Sequence, residues 1–386
     1  MSAIDSVSID VDYNDDWEQW ALAETFKAAA YLTDPVCKAH EFYRRLSVVD
    51  ALNPTATKIE NYARKFFLFC GMVTWAAIAV VTTVPATALR YVACQIQQKP
   101  FLYFQGEGEE KKFWGKFFTL LSWNVCCVAG GYTITDGGVV PWQFRVKEIA
   151  AEVKKQNADV VCLYEIFDTL AAFQLQELLK NDYAHFYLNI GPTAVGVSSG
   201  VFVASKYAIG NPDFVPFPKE MLIGRTKNAE KGIFSFDLKS DGHSFATVIP
   251  LHLQHSEECV YPTDEEVAAR AQQMELVMKK VDQIKGRAVI VTGDLNLDDD
   301  EYNASSWHHR FKKSGFGEKK TWGGDQFCAK LVEKRASPSL NLDHTMILEG
   351  SAENLETTLV EAGYNAAEYK QEALSDHLGL YSIIWV

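Results

Sequence analysis

The chain has 386 residues, a net charge of −13, eight cysteines and 48% hydrophobic residues. That is enough apolar material for one domain of about 270 residues plus an extension. The acidic balance argues against sequence-independent nucleic-acid binding, which needs a basic surface, although a local basic groove on an acidic protein would still permit it.

In chain order, residues 1 to about 15 are acidic and lack the apolar content to fold alone. Asp16 to Tyr31 and Pro35 to Leu46 place Trp20, Leu22, Phe26 and then Phe42, Leu46 at helical spacing, which predicts two short helices. Phe66 to Leu89 follows, 24 residues without a charge, flanked by Arg64, Lys65 and Arg90. That length can cross a bilayer, and the alternative is a buried helix of a soluble extension. Pro85 predicts a break or re-entrant turn near its end. Cations on both sides leave orientation open, and the segment starts too far from Met1 for a cleaved signal. The expected division is 1–62 acidic head and short helices, 63–94 hydrophobic membrane-associated segment, 95–116 linker, and 117–386 a single globular domain.

Strands are expected near 118–124, 159–164, 184–188, 200–204, 232–238, 245–251, 287–293, 343–348 and 379–385. Helices are expected near 142–156, 168–180 and 264–285. This mixture predicts an α/β sandwich. The Gly-rich stretch Val128 to Val140 reads either as a mobile loop over a site or as a plain connection. The segment Asn211 to Asn228, with three prolines and Phe214 and Phe217, reads as a loop that could dip into lipid.

Polar residues recur where these strands end: Asn124, Tyr164-Glu165, His252-Leu253-Gln254, Gly293-Asp294-Leu295-Asn296, Leu342-Asp343-His344 and Ser375-Asp376-His377. Asn124 and Glu165 supply oxygen ligands at strand ends, and Asp294 and Asn296, two apart, face one side in extended chain. Mg²⁺ favours hard oxygens and few protein carboxylates, which Glu165 with Asp376 and Asn124 would supply. An Asp beside a His fixes its tautomer, and Asp343 with His377 is the candidate pair. Each residue alone could be a turn cap, a solvated acid or a packed histidine. His255, His308, His309 and His344 fall outside the set and read as surface or packing residues, His344 adjoining Asp343.

The ordered series, with Ser199-Gly200-Val201-Phe202-Val203-Ala204-Ser205-Lys206 as a less polar marker, resembles the endonuclease/exonuclease/phosphatase superfamily from about Phe117 to Val386. The resemblance implies a DNase I-like fold, a four-layer sandwich of two packed β-sheets flanked by helices, with the site at one end. It implies Glu165 as principal Mg²⁺ ligand with Asn124 and Asp376 nearby, Asp294 orienting or deprotonating water, and Asn296, His252 and Asp343-backed His377 on the phosphoryl group. Which His is base stays open, as does Mn²⁺ in place of Mg²⁺.

His252-Leu253-Gln254, Cys259 and the helix with Arg270 and Gln273 look like neutral sphingomyelinases, some of which carry an N-terminal hydrophobic segment. That implies a phospholipid phosphodiester as substrate and a membrane reached through residues 66–89. A DNA-end nuclease and a non-catalytic tethered pseudoenzyme are the competing readings. No cysteine pair has a zinc spacing, and free thiols in a reducing compartment are expected, with acylation of Cys70 or Cys94 conceivable.

Overall fold

The computed structural model describes residues 17–47, 49–128, 132–134, 137–139, 141–257, 261–323, 339–366 and 371–386. The acidic head, Cys259 and Cys328 lie outside them. Helix α1 is Trp17–Ser47, α2 Val49–Leu52 and α3 Lys58–Ile96. The α/β part then runs β1 Leu102–Gln105, β2 Phe117–Asn124, β3 Tyr132–Ile134, β4 Gly137–Val139, α4 Trp142–Gln156, β5 Val160–Tyr164 and α5 Thr169–Leu179. It continues β6 His185–Leu188, β7 Phe202–Ser205, β8 Ala208–Pro216, β9 Gly232–Ser240, β10 His243–His252, α6 Asp264–Val281, β11 Ala288–Asp294 and α7 Asp299–Ala304. The last elements are β12 Phe311–Lys313, β13 Asp343–Leu348, β14 Asn354–Val360, β15 Gly363–Ala366, β16 Gln371–Ala373 and β17 Gly379–Trp385.

The main sheets have the orders β1-β6-β7-β5-β2-β17-β14 and β12-β13-β11-β10-β9-β8. Period-two alternation puts successive residues of each strand into different layers. On β2 and β5, Leu121, Trp123, Val161 and Leu163 face α4 and α5, packing on Val146, Ile149 and Leu175. Phe118, Leu120, Val160 and Cys162 face the other sheet, meeting Phe236, Val248 and Ile290. Ile249, Leu251, Val289 and Val291 of the second sheet face Met274, Val277 and Val281 of α6. The result is helix, sheet, sheet, helix, the DNase I-like sandwich.

Several sequence expectations are corrected. Pro35 does not divide α1, and Pro85 does not break α3: each helix runs through its proline, and the two pack against each other. Leu102–Gln105, within the stretch read as linker, pairs antiparallel with His185–Leu188, because Phe101 and Leu102 have core to fill. Phe214 and Phe217 do not reach solvent or lipid: both are buried, Phe214 in the inter-sheet core and Phe217 beneath α6. The prolines around them are tolerated because β8 is an edge strand. The Gly-rich stretch contains the β3-β4 hairpin, and the segment with the Ser199-Gly200 marker forms β7 beside the central strand β5.

Candidate active site

Sheet polarity gathers the site. Strands β2 and β5 are parallel with Asn124 opposite Tyr164, so Asn124 and Glu165 leave the sheet at the same end. Strands β10 and β11 are likewise parallel with His252 opposite Asp294. Strand β13 is antiparallel to β11, so its first residue, Asp343, pairs with Asp294. Strand β17 is antiparallel to β2, so Asp376 and His377, just before it, arrive there as well. Tyr164 ties the sheets together, its hydroxyl donating to Thr292 O (3.1 Å) while Ser122 Oγ donates to it (3.2 Å).

The turns after the strands are unusual in backbone. Glu165 (φ 61°) and Asn296 (φ 52°) are left-handed, a conformation that Asn adopts readily but that is strained for Glu. Gly293 has φ 144°, and a Cβ there would lie 1.9 Å from Leu251 O of the neighbouring strand. Only glycine lets β11 deliver Asp294 beside β10.

The side chains converge. Asp294 Oδ2 accepts from Asn124 Nδ2 (2.8 Å) and lies 3.7 Å from His252 Nε2 and 3.9 Å from His377 Nε2. Glu165 Oε1 is 3.8 Å from His252 Nε2. His377 Nδ1 is 2.8 Å from Asp343 Oδ2, in a pair 7% and 2% exposed. Ser375 Oγ donates to Asn124 O (2.7 Å), tying the two loops together. Thr321 Oγ1 accepts from the amides of Leu342 and Asp343. Asn296 donates its amide N–H to Asp294 Oδ1 (3.0 Å), and its Nδ2 approaches Leu253 O at 3.5 Å. The structure brings all eight residues singled out from the sequence to this end. His344 is turned away, bonding Leu297 O (3.0 Å) and stacking on Tyr302.

Burial and like charge set the electrostatics. Burial, then the carboxylates of Asp376 and Asp294, push Glu165 up to about 7. Burial raises Asp343 to about 6 against the opposing pull of His377. Burial also disfavours the His377 imidazolium, but Asp343 and Asp294 outweigh it and hold its pKa well above the usual imidazole range. His252 goes the other way: burial and the nearby Lys231 keep it neutral.

These groups fit a divalent cation. Glu165, His252 and Asp294 have ligand atoms all within 4.8 Å of one another, as do Asp294, Asp343 and His377. Among the described residues both ring nitrogens of buried His252 lack a hydrogen-bond partner, and Glu165 lies close enough to Asp376 and Asp294 that their charges, after burial, disfavour its ionised form. The Asn124 oxygen already accepts from Cys126 N–H (3.0 Å), leaving one lone pair for a ligand.

Two buried cations, Lys231 and Arg145, escaped the residue-by-residue reading of the site, and a third, Arg270, entered it only as a marker of resemblance. Lys231, 3% exposed, donates to Leu253 O (2.5 Å) beside His252, and burial lowers its pKa to about 8 against Asp294 and Glu165. Arg145 donates to Val125 O, Cys126 O and Leu374 O, joining the exit of β2 to the loop that carries Asp376 and His377. Arg270 forms a two-pronged pair with Glu301 (2.8 and 2.6 Å) and donates to Ser256 Oγ (2.7 Å), while Gln273 accepts from Gln254 N–H (2.9 Å). The detectable signal for Arg145 is a cation on the apolar stripe Trp142, Val146, Ile149, Val153.

Comparison with known proteins supports the fold and the family. A doubly substituted beta toxin of Staphylococcus aureus, with bound magnesium ions, superposes with a TM-score of 0.56 at 21% identity, covering 69% of this chain and 99% of that one. Sphingomyelinase C from Streptomyces griseocarneus gives 0.54 at 21% identity with the same coverage. Truncated Caenorhabditis elegans TDP2 gives 0.50 at 18%, covering 71% and 99%. At such identities these similarities establish the fold. A curated relative, the CCR4-Not complex 3'-5'-exoribonuclease subunit Ccr4 of Neurospora crassa, is 32% identical over 69 residues, 17% of this chain and 9% of that protein. The Endonuclease/Exonuclease/phosphatase family pattern matches residues 121–347, more than half of the chain. Members are hydrolases acting on phosphodiester bonds, and this chain belongs to that family.

Proposed function

We propose that this chain is a Mg²⁺-dependent phosphodiesterase that hydrolyses a sphingomyelin-like phospholipid at a membrane surface. The observation that carries the catalytic half is the convergence of half-buried Glu165 with buried His252, Asp294 and the Asp343–His377 pair at one end of the sandwich. The lipid half rests on the exposed, uncharged stretch of α3 together with the acidic net charge.

Glu165, with Asp376 and the free lone pair of Asn124, would hold the cation. Once bound, it would neutralise charge on the phosphoryl and leaving oxygens. Asp294 orients the attacking water and takes its proton, opposite the scissile P–O bond. Asn296 and neutral His252 hydrogen-bond the phosphoryl oxygens, fixed donors of the kind that usually carry much of such catalysis. His377, kept protonated by Asp343 and Asp294, donates to the departing alkoxide. Water adds at phosphorus, the lipid alcohol leaves, and a phosphomonoester head group is released. The six described cysteines are unpaired, in keeping with a membrane-associated protein whose catalytic domain faces a reducing compartment. Oxygen ligands would accept Mn²⁺ as well.

The TDP2 and Ccr4 similarities favour a second reading, a nuclease of the same family. Rates on sphingomyelin vesicles and on single- and double-stranded DNA, measured side by side with Mg²⁺ and with chelator, separate the two. Phosphocholine release with DNA intact supports the lipid reading, and DNA cleavage alone replaces it.

A further inference from the structure

The N-terminal helices form one projecting hairpin. At its base, Leu22, Ala23 and Phe26 of α1 and Ala93 of α3 join the core of the sandwich. Arg90 donates there to Gly196 O (3.0 Å) and to Thr33 Oγ1 (3.1 Å). At the far end Phe42 lies against Gly71, Lys65 pairs with Asp50 (2.5 Å) and Arg64 donates to Asn53 (2.9 Å).

The two helices both expose large apolar side chains, Trp17, Trp20, Tyr31 and Tyr43 on α1 among them, but differ in charge. Helix α3 buries Ala79, Ala86 and Ala93, one residue per two turns, and exposes Phe66, Phe67, Phe69, Val80, Val81 and Val84. Helix α1 beside it carries Lys27, Asp34, Lys38, Glu41, Arg44 and Arg45, some paired within the helix (Glu41 with Arg45 at 3.7 Å). A helix apolar around most of its circumference calls for a hydrocarbon environment. Charges at the bilayer midplane are rare and costly, so α1 cannot accompany α3 across it.

Resting on the membrane reading above, we propose that the hairpin lies flat in one leaflet of a phospholipid bilayer and crosses nothing. The exposed face of α3 sinks into the boundary between head groups and acyl chains, and α1 stays on the aqueous side. Lys58, Arg64 and Lys65 at the far end meet lipid phosphates. The tip, residues 53–57, then shares the catalytic domain's side of the membrane. This keeps the α1–α3 interface intact, whereas a spanning α3 must shed α1.

The test uses the full chain made by cell-free synthesis in the presence of sealed phosphatidylcholine/phosphatidylserine vesicles. Thr55→Cys, at the exposed tip, is compared with the parent chain for tagging by a membrane-impermeant maleimide. The expected result is co-sedimentation with vesicles and one additional tag without detergent. Co-sedimentation with the tip protected until detergent is added means that α3 spans, which overturns the proposal but leaves the membrane reading standing. Failure to co-sediment overturns both. Val81→Lys with Val84→Lys should weaken vesicle binding at least tenfold, and unchanged binding removes α3 as the lipid face. Hydrolysis of a water-soluble phosphodiester by the same preparations reports on the catalytic reading separately.

Discussion

Asp343→Asn isolates one hydrogen bond of the proposed machinery. Asp343 Oδ2 lies 2.8 Å from His377 Nδ1, and both residues are buried. Asn preserves shape and an acceptor oxygen but removes the charge. A hydrogen bond to a charged group contributes about 1.5–3 kcal/mol net. If that energy holds the His377 imidazolium in the transition state, its loss lowers kcat about 10- to 150-fold, at 1.36 kcal/mol per factor of ten. The pH profile supplies a second readout. Burial disfavours the imidazolium and the carboxylates of Asp343 and Asp294 outweigh it, so removing Asp343 lowers the His377 pKa. The alkaline limb of kcat, where His377 loses its proton, then moves to lower pH. The assay is a kcat-against-pH series on one phosphodiester at saturating Mg²⁺, with urea unfolding to show that the variant is folded. A folded Asp343→Asn protein with wild-type kcat and an unmoved alkaline limb refutes the role assigned to the pair.

The other predictions rest on separate features. Burial and the neighbouring Asp376 raise Glu165 to about 7, so protons compete with the cation below that pH, and calorimetry should show Mg²⁺ affinity falling about tenfold per unit there. Between about 4.5 and 7 the metal-free folded chain keeps a proton that the unfolded chain has lost. Its urea stability should therefore fall as pH rises through that window, by up to about 3 kcal/mol, and Mg²⁺ should reverse the loss. Gly293→Ala forces a Cβ within 1.9 Å of Leu251 O at φ 144°, and should cost at least about 2 kcal/mol in denaturant unfolding. Arg270→Met leaves Glu301 without its two-pronged partner and should cost about 3 kcal/mol, whereas the double change with Glu301→Leu should recover much of it.

The strands that carry the site were legible because each is an apolar, β-branched run ending in polar residues. Ala288 to Thr292 before Gly293-Asp294 is the plainest, and the observed strand spans Ala288–Asp294. Family order supplied what local pattern lacked, since nothing in Asp343 or His377 alone says that they meet across two sheets. The edges were harder. Strand β8 contains Pro212 and Pro216, which read as loop because a proline cannot serve a central strand, yet an edge strand leaves that donor unneeded. Strand β1 is four residues long and follows a polar-looking stretch. The prolines in α1 and α3 were misread for a related reason: the local cost of Pro35 and Pro85 is offset by packing between the helices, which only the folded chain displays. Lys231 and Arg145 were missed because a single charge in a sequence defaults to the surface, and their partners are backbone carbonyls that no pattern marks.

The most direct test of the central claim is the release of phosphocholine from sphingomyelin vesicles by the full chain, with Mg²⁺ and with excess chelator. The Glu165→Gln, His377→Ala double variant serves as the control. The account predicts release that requires Mg²⁺, disappears with chelator, and falls at least about a thousandfold in the double variant, which loses both a ligand for the cation and the acid for the leaving oxygen. Equal release by the folded double variant, or release unaffected by chelator, would contradict it.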